Sequence, residues 1–436
     1  MGMRLQLLNL LNGDKTRATF AKLYGEQEQT IEYQTLRYKK LLRAYKAHFP
    51  QDEGELQLFS TPGRTEVGGN HTDHNAGRVL AAAVHFDTIA AATAVEDNQV
   101  VLYSEGYDGF FQVNLSQLEP VPEEKETTTA LIRGVAARFR QLGCTIGGVH
   151  ACISSSVARG SGLSSSASIE ILLGTILNTL YNNNKLEPVL LAKIGQYAEN
   201  VYFGKPCGLM DQMACAIGGL LIIDFQIEEK PKFRKINFDP ENHGYHVLVV
   251  DTGGSHADLT QDYAEIPFEM KNVANLLGKQ VLRELSLADL IVNTPMLRKE
   301  AGDRAILRAM HFFQDDQRVC DQAQALEENR FTDFLQLVQE SGSSSWRCLQ
   351  NCHTSQNPRE QGVALALALT EAFIKRTGKG ACRVHGGGFA GTIQVYLPGE
   401  HLKEYIDLIE GVFGSKTVTA LKIRSEGTLH LNSLLG

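Results

Sequence analysis

Apolar residues fall along this chain in two rhythms. Ile169, Leu172, Leu173, Ile176, Leu177 and Leu180 recur at i, i+3, i+4 and i+7, which predicts a helix with one buried face. The nearly unbroken apolar run over 149–153 predicts a strand just before it. Further short apolar or alternating runs predict strands over 56–59, 79–84, 88–95, 99–103, 110–115, 220–224, 246–251, 381–384 and 392–397. Helical patterning covers 16–24, 32–49, 129–142 and 188–203, where Pro188 suits a first turn. It returns over 259–277, 299–315, 317–329, 331–341, 359–377 and 401–413. Strands and helices mix without βαβ alternation, so the fold class is α+β.

At 436 residues the chain is long enough for two domains. The charged stretch Glu228 to Lys235 marks the expected boundary. The division read here is a helical extension over 1–50, a first domain over 51–236 and a second over 237–436. The 32–49 helix carries Arg37, Lys39, Lys40, Arg43 and Lys46, which read as a solvated basic face.

Composition narrows the function classes. A net charge of −8 argues against non-specific nucleic-acid binding. The first twelve residues are broken by asparagine and do not read as a signal peptide, and Gln6 does not fit N-myristoylation. No apolar run approaches the ~18 residues of a spanning helix, so no membrane partner is expected and the protein reads as cytoplasmic. Eight scattered cysteines fit reduced thiols. Cys348 and Cys352-His353 miss haem and zinc spacing and read as packing residues.

Between the 149–153 strand and the helix that follows lies Val157-Ala158-Arg159-Gly160-Ser161-Gly162-Leu163-Ser164-Ser165-Ser166-Ala167-Ser168. A glycine loop opening a helix presents free N–H groups and the positive end of the helix dipole to an anion. The hydroxyls add donors for phosphate and ligands for a hard cation. The loop lacks the Gly-Lys-Ser/Thr ending of a Walker A motif. A flexible Gly/Ser linker is the competing reading of the stretch by itself.

Two more glycine-rich segments share the chain with it. Pro62-Gly-Arg-Thr-Glu-Val-Gly-Gly-Asn-His-Thr-Asp-His-Asn75 resembles the galactokinase signature P-G-R-V-N-L-I-G-E-H-T-D-Y-N. Gly160-Ser-Gly-Leu-Ser-Ser-Ser-Ala167 resembles the ATP loop of the GHMP small-molecule kinases. Cys207-Gly-Leu-Met-Asp-Gln212 resembles the C-G-I-M-D-Q segment, and Gly386-Gly-Gly-Phe-Ala-Gly391 the third motif. From about residue 56 onward the chain thus resembles a galactokinase.

The resemblance implies a two-domain GHMP kinase fold. Its first domain would resemble domain 2 of ribosomal protein S5, its second would be ferredoxin-like, and the active site would lie in the cleft between them. It implies transfer of the ATP γ-phosphoryl group to the anomeric hydroxyl of galactose, with Mg²⁺, in a monomer whose partners are the sugar and ATP. Asp211 matches the catalytic base and Arg64 the residue that holds it ionised. Gly160, Ser161, Gly162, Leu163, Ser164, Ser165 and Ser166 match the nucleotide loop, with Ser104 as a further nucleotide contact. Ser166 and Glu199 match the Mg²⁺ ligands. His71, Asp73, Gly208 and Tyr263 match sugar-binding residues.

The sequence departs from the family at Asn70, where the signature has Glu, a residue that contacts the hydroxymethyl end of the sugar. The exchange removes a charge there and opens a kinase for galacturonic acid or N-acetylgalactosamine as an alternative. His74 replaces Tyr, Gly68-Gly69 replaces Ile-Gly, and Ala390 replaces a glycine. A catalytically inert sugar and ATP sensor is the other alternative. The complete run Ser164-Ser165-Ser166-Ala167, with Asp211 and Arg64 present, favours the enzyme.

Overall fold

A computed structural model describes residues 7–158, 160–227, 229–254, 259–354 and 356–435. Arg159, Glu228 and the Gln6 reading lie outside the described residues. The chain builds two sheets. The first has eight strands: β1 (Gln57–Gly68), β2 (Arg78–Val95), β3 (Gln99–Ser104), β4 (Phe110–Asn114), β5 (Gly148–Ser155), β6 (Leu220–Asp224), β7 (Lys232–Ile236) and a last strand from the C-terminal end, Leu429–His430. The order runs from that last strand through β1, β2, β5 and β3 to β4, while β6 and β7 extend from β2. Among the described residues only β3 and β5 run parallel. The second sheet is antiparallel and has four strands, Val418–Leu421, β8 (Tyr245–Asp251), Thr392–Pro398 and Ala381–His385, in that order.

β2 organises the first sheet. The sequence reads as two strands here, separated by the polar stretch at His85 and Asp87, but the chain runs through as one eighteen-residue strand. Its first part pairs β6 and its second part β5. Ala81, Ala82, Ala83, Ala90, Ala91 and Ala92 are all buried. A strand covered on both faces reads as a continuous apolar run rather than an alternation. One face packs on the helices Thr128–Gln141, Ser165–Asn182, Pro188–Tyr197 and Met210–Ile217 through Ile132, Val135, Ile171, Leu172, Leu191 and Met213. The predicted apolar stripe of the Ser165–Asn182 helix lies in that core, with Ile169 and Leu180 at its margin.

Residues 7–50 belong to the same body. Phe20, Tyr24, Tyr38 and Leu41, from the helices Asp14–Tyr24 and Glu28–His48, share a core with Leu58, Ile89 and Ala91 of the sheet. Arg37 is not part of a solvated face. It is buried and bonds Asp87, which Arg424, Tyr24 and Ser60 also hold. Burial pushes the Asp87 carboxyl up, but the two guanidiniums prevail and its pKa is lowered. Residues 424–435 return to this sheet, so the chain does not divide between the sheets in simple order.

Other expectations shift for physical reasons. The charged segment near 228–235 leads into β7, which pairs with β6 in the first sheet, while β8, from Tyr245, belongs to the second. The predicted helices 299–315 and 317–329 form one helix, Asp303–Glu327. Its buried polar residues His311, Asp315 and Asp316 interrupt the apolar pattern without interrupting the helix. A helix over Leu287–Glu300 was not predicted. No helix among the described residues is long and apolar enough to cross a membrane.

Candidate active site

The first motif reads as a loop in sequence, yet β1 carries it as far as Gly68. The pairing with β2 slips between Pro62 and Arg64, where Val84, His85 and Phe86 of β2 stand opposite Gly63 alone and form a bulge. That bulge turns Arg64 toward the glycine-serine loop. The Arg64 N–H donates to the carbonyl of Leu163 at 3.0 Å, and its Nη1 donates to the carbonyl of Gly162. Gly160 and Gly162 have φ of 76° and 71°, a region that suits glycine. Ser164 also turns left-handed, at φ 58°, and the helix Ser165–Asn182 starts after it. The side chain of Ser164 does not cap that helix. Its first N–H groups therefore lack helical partners and face the loop.

Asp211, in the first turn of Met210–Ile217, meets this arrangement. Arg64 grips it as a fork, Nε to Oδ1 at 2.5 Å and Nη2 to Oδ2 at 2.6 Å. Ser164 donates to Oδ2 at 2.6 Å. Burial pushes the Asp211 carboxyl up, but Arg64 and then Ser164 bring it below its ordinary value. Its side chain remains 25% exposed against 9% for Arg64, so the carboxylate is reachable.

A second cluster lies beside the first. The α-helix Pro188–Tyr197 continues as a π-helical turn, Ala198–Phe203, which carries Glu199. Such turns reorient side chains. Ser166 donates to Glu199 Oε1 at 3.0 Å. Gln212 Nε2 donates to Glu199 Oε2 at 2.9 Å and to Glu170 Oε2 at 3.0 Å. Burial, then the neighbouring Glu199, pushes the Glu170 carboxyl well above the usual range. Glu170 is a residue that the sequence reading missed. Its only signal was a charge on the buried face of an apolar helix.

Across the cleft stands the 69–75 loop. His71 sits at φ 60° and donates from Nε2 to the carbonyl of Gly387 at 3.0 Å. A Cβ on Gly208 would lie 1.7 Å from Asp73 Oδ2, so the 207–212 segment and the loop meet only because residue 208 has no side chain. Tyr263, near the start of the helix Thr260–Leu276, donates to the carbonyl of Gly388 at 2.8 Å and meets Phe389 edge-on. The third motif reaches the nucleotide loop through His385 and Thr392, which would lie under 3 Å from a Cβ at Gly162. Ser104 ends β3 beside Ile153, at the end of the sheet from which the glycine-serine loop departs. Leu163 buries its side chain in the core and offers the loop only backbone.

Asn70 differs from the expectation. It is 0% exposed, and its carboxamide is engaged by protein. Nδ2 donates to Glu66 Oε1 at 2.9 Å and to the carbonyl of Gly386 at 2.7 Å, while Oδ1 accepts from Asn351 at 2.7 Å. A buried amide with all three bonds made leaves no free donor for a modified C6, and the case for galacturonic acid loses its footing. The charge that seemed lost is four residues upstream. The signature has Asn at position 66 and Glu at 70; this chain has Glu66 and Asn70.

The chain resembles known proteins along most of its length. Residues 130–219 match the GHMP kinases N terminal domain, and residues 43–94 match the galactokinase galactose-binding signature. The galactokinase of Streptomyces coelicolor is 31% identical over 84% of this chain and 91% of its own length. That of Mannheimia succiniciproducens is 30% identical over 83% and 90%. Among solved structures, Lactococcus lactis galactokinase complexed with galactose superposes with a TM-score of 0.79 at 24% identity, covering 91% of this chain and all of that one. Methanococcus jannaschii mevalonate kinase superposes more loosely, with a TM-score of 0.60 over 85% of this chain and 99% of its own. Identity near one third along almost the whole length of such relatives goes beyond a shared fold, and the chain belongs to the galactokinase family.

Proposed function

We propose that the protein is an ATP-dependent sugar 1-kinase that converts galactose and ATP to galactose 1-phosphate and ADP. The observation that carries this reading is the forked Arg64–Asp211 pair, capped by Ser164, at the mouth of a helix N-terminus. A carboxylate held below its ordinary pKa is ionised throughout the neutral range. It accepts the proton of the anomeric hydroxyl as that oxygen bonds to the γ-phosphorus, and ADP leaves with the electrons of the broken P–O bond. Arg64 has five N–H groups. Two hold Asp211 and one holds Gly162, which leaves two for phosphoryl oxygens. The N–H groups opening the Ser165–Asn182 helix supply the phosphate cradle.

Ser166 and Glu199 suit Mg²⁺. Both are oxygen donors, one anionic, and Oγ and Oε1 stand 3.0 Å apart. Neighbouring ligands ~2.1 Å from an octahedral Mg²⁺ are about that far apart. The ion when bound neutralises charge on the phosphate oxygens. His71, Asp73 and Tyr263, with the Gly208 backbone, form the sugar side. Eight free cysteines support a reducing, cytoplasmic setting.

The test is ADP release with galactose, with the product identified by phosphorus NMR. The expected product is galactose 1-phosphate. Measurable binding of ATP and galactose without turnover would refute the reading and leave a sensor.

A further inference from the structure

The 69–75 loop is suspended from three sides, and Asn70 takes part in bonds on each of them. Asn70 binds the carbonyl of Gly386, and Asn351 binds both Asn70 Oδ1 and the carbonyl of Gly387. The Asn70 N–H donates to Asp315 Oδ2 at 2.9 Å, and His311 Nε2 donates to the Asn70 carbonyl at 2.9 Å. Below it, Glu66 Oε1 accepts from Asn70 and also from Arg383 Nη2, which lies 2.5 Å away on the second sheet. The Glu66 and Arg383 side chains are 4% and 0% exposed. One oxygen atom thus joins the sugar loop, β1 and the second sheet.

We infer that Glu66 and Asn70 form a single exchanged carboxylate–amide unit that locks the sugar loop onto the third motif, and that Glu66 is a positioning residue for galactose. This rests on the reading of the protein as a galactose kinase. The chemistry of the pair fits the exchange between positions 66 and 70. A carboxylate only accepts, and a carboxamide both donates and accepts. Glu66 needs a donor above it and a cation beside it. Asn70 supplies the donor, and Arg383 the cation. A glutamate at 70 facing Glu66 would set two buried carboxyls at a distance of about 3 Å, where both cannot ionise together. An asparagine at 66 alone would leave Arg383 buried without its anion; two of its nitrogens already lack partners. Exchanging both restores one carboxylate, one amide and one cation within reach of each other. Because the unit touches His71 only through the loop that carries it, its failure affects sugar binding before it affects phosphoryl transfer.

A double-mutant cycle tests the pair: Glu66→Asn, Asn70→Glu and the double exchange, each measured for Tm and for KM and kcat with galactose. Each single variant is expected to lower Tm by about 4 °C or more. Each is also expected to raise the galactose KM roughly tenfold with kcat within about threefold of wild type. The double exchange is expected to recover most of both losses. If Asn70→Glu does not fold, Glu66→Gln, which keeps an acceptor for Asn70 but changes the contact with Arg383, serves as the second arm and is expected to raise the galactose KM with kcat little changed. Losses that simply add in the double variant, or singles indistinguishable from wild type, overturn the inference. The Tm cycle needs no turnover, so an inactive wild-type enzyme would refute the functional reading and leave this test intact.

Discussion

Two arginine–carboxylate pairs start from neighbouring positions of β1, Arg64 and Glu66, and the same residue types reach opposite electrostatic states. Asp211 receives two bonds from Arg64 and one from Ser164, and its pKa falls below the ordinary value. Glu66 receives one bond from Arg383 and one from Asn70, and burial pushes its carboxyl up to about 7 despite both. The difference lies in the number of donors and in access to the cleft. A forked guanidinium offsets desolvation where a single N–H does not. The first pair therefore keeps a reactive anion beside the nucleotide loop. The second holds the architecture of the sugar loop. The residues of the first pair match the family letter for letter, while the second unit carries its carboxylate and amide in exchanged positions. Chemistry constrains identity at Arg64 and Asp211, whereas a scaffold tolerates any arrangement that balances its donors and charges.

The comparison can be broken most sharply at Asp211. Asp211→Asn keeps the shape and removes the proton acceptor, and kcat is expected to fall by roughly a thousandfold with ATP affinity retained. Activity within a fewfold of wild type would show that the base lies elsewhere. Arg64→Lys replaces the fork by a point charge. It is expected to lower kcat by about a hundredfold and to move the acid limb of the kcat profile upward, as Asp211 loses donors. A steady-state pH series reads both effects.

On the sugar side, Gly208→Ala drives a Cβ into Asp73 and is expected to raise the galactose KM by roughly tenfold, with a smaller change for ATP. The smallest effect concerns stability. A carboxyl whose folded pKa is raised binds its proton more tightly in the folded state, so its contribution is present below the unfolded pKa and declines as pH rises. For Glu66 the decline falls between about 4.5 and 7. The Tm of Glu66→Gln relative to wild type should therefore rise by a degree or two across that window.

Much of this site was legible in the chain because glycine and serine segments announce themselves. Arg64, Ser164, Ser166, Glu199 and Asp211 meet as their motifs suggested. The misreadings share a cause. His311, Asp315 and Asp316 made one helix look like two, since buried polar residues look like surface when their partners are distant in sequence. Arg37 read as solvated for the same reason, its partner Asp87 lying fifty residues away. Asn70 read as a lost charge because it was taken alone. Glu66, four positions earlier in the same motif, carried the compensation, but only the fold shows that the two touch. Arg383, Asn351 and Glu170 have no motif around them, and their roles depend on contacts that no local pattern records.

The claim that Asp211 is the reactive carboxylate and Glu66 a scaffold is tested most directly by the pH dependence of kcat in the wild type and in Glu66→Gln. Both profiles should keep the same shape between pH 5 and 8, with the carboxylate limb at lower pH in each. A wild-type limb centred near pH 7 that disappears in Glu66→Gln would contradict the account, because it would make Glu66 the group whose ionisation governs turnover.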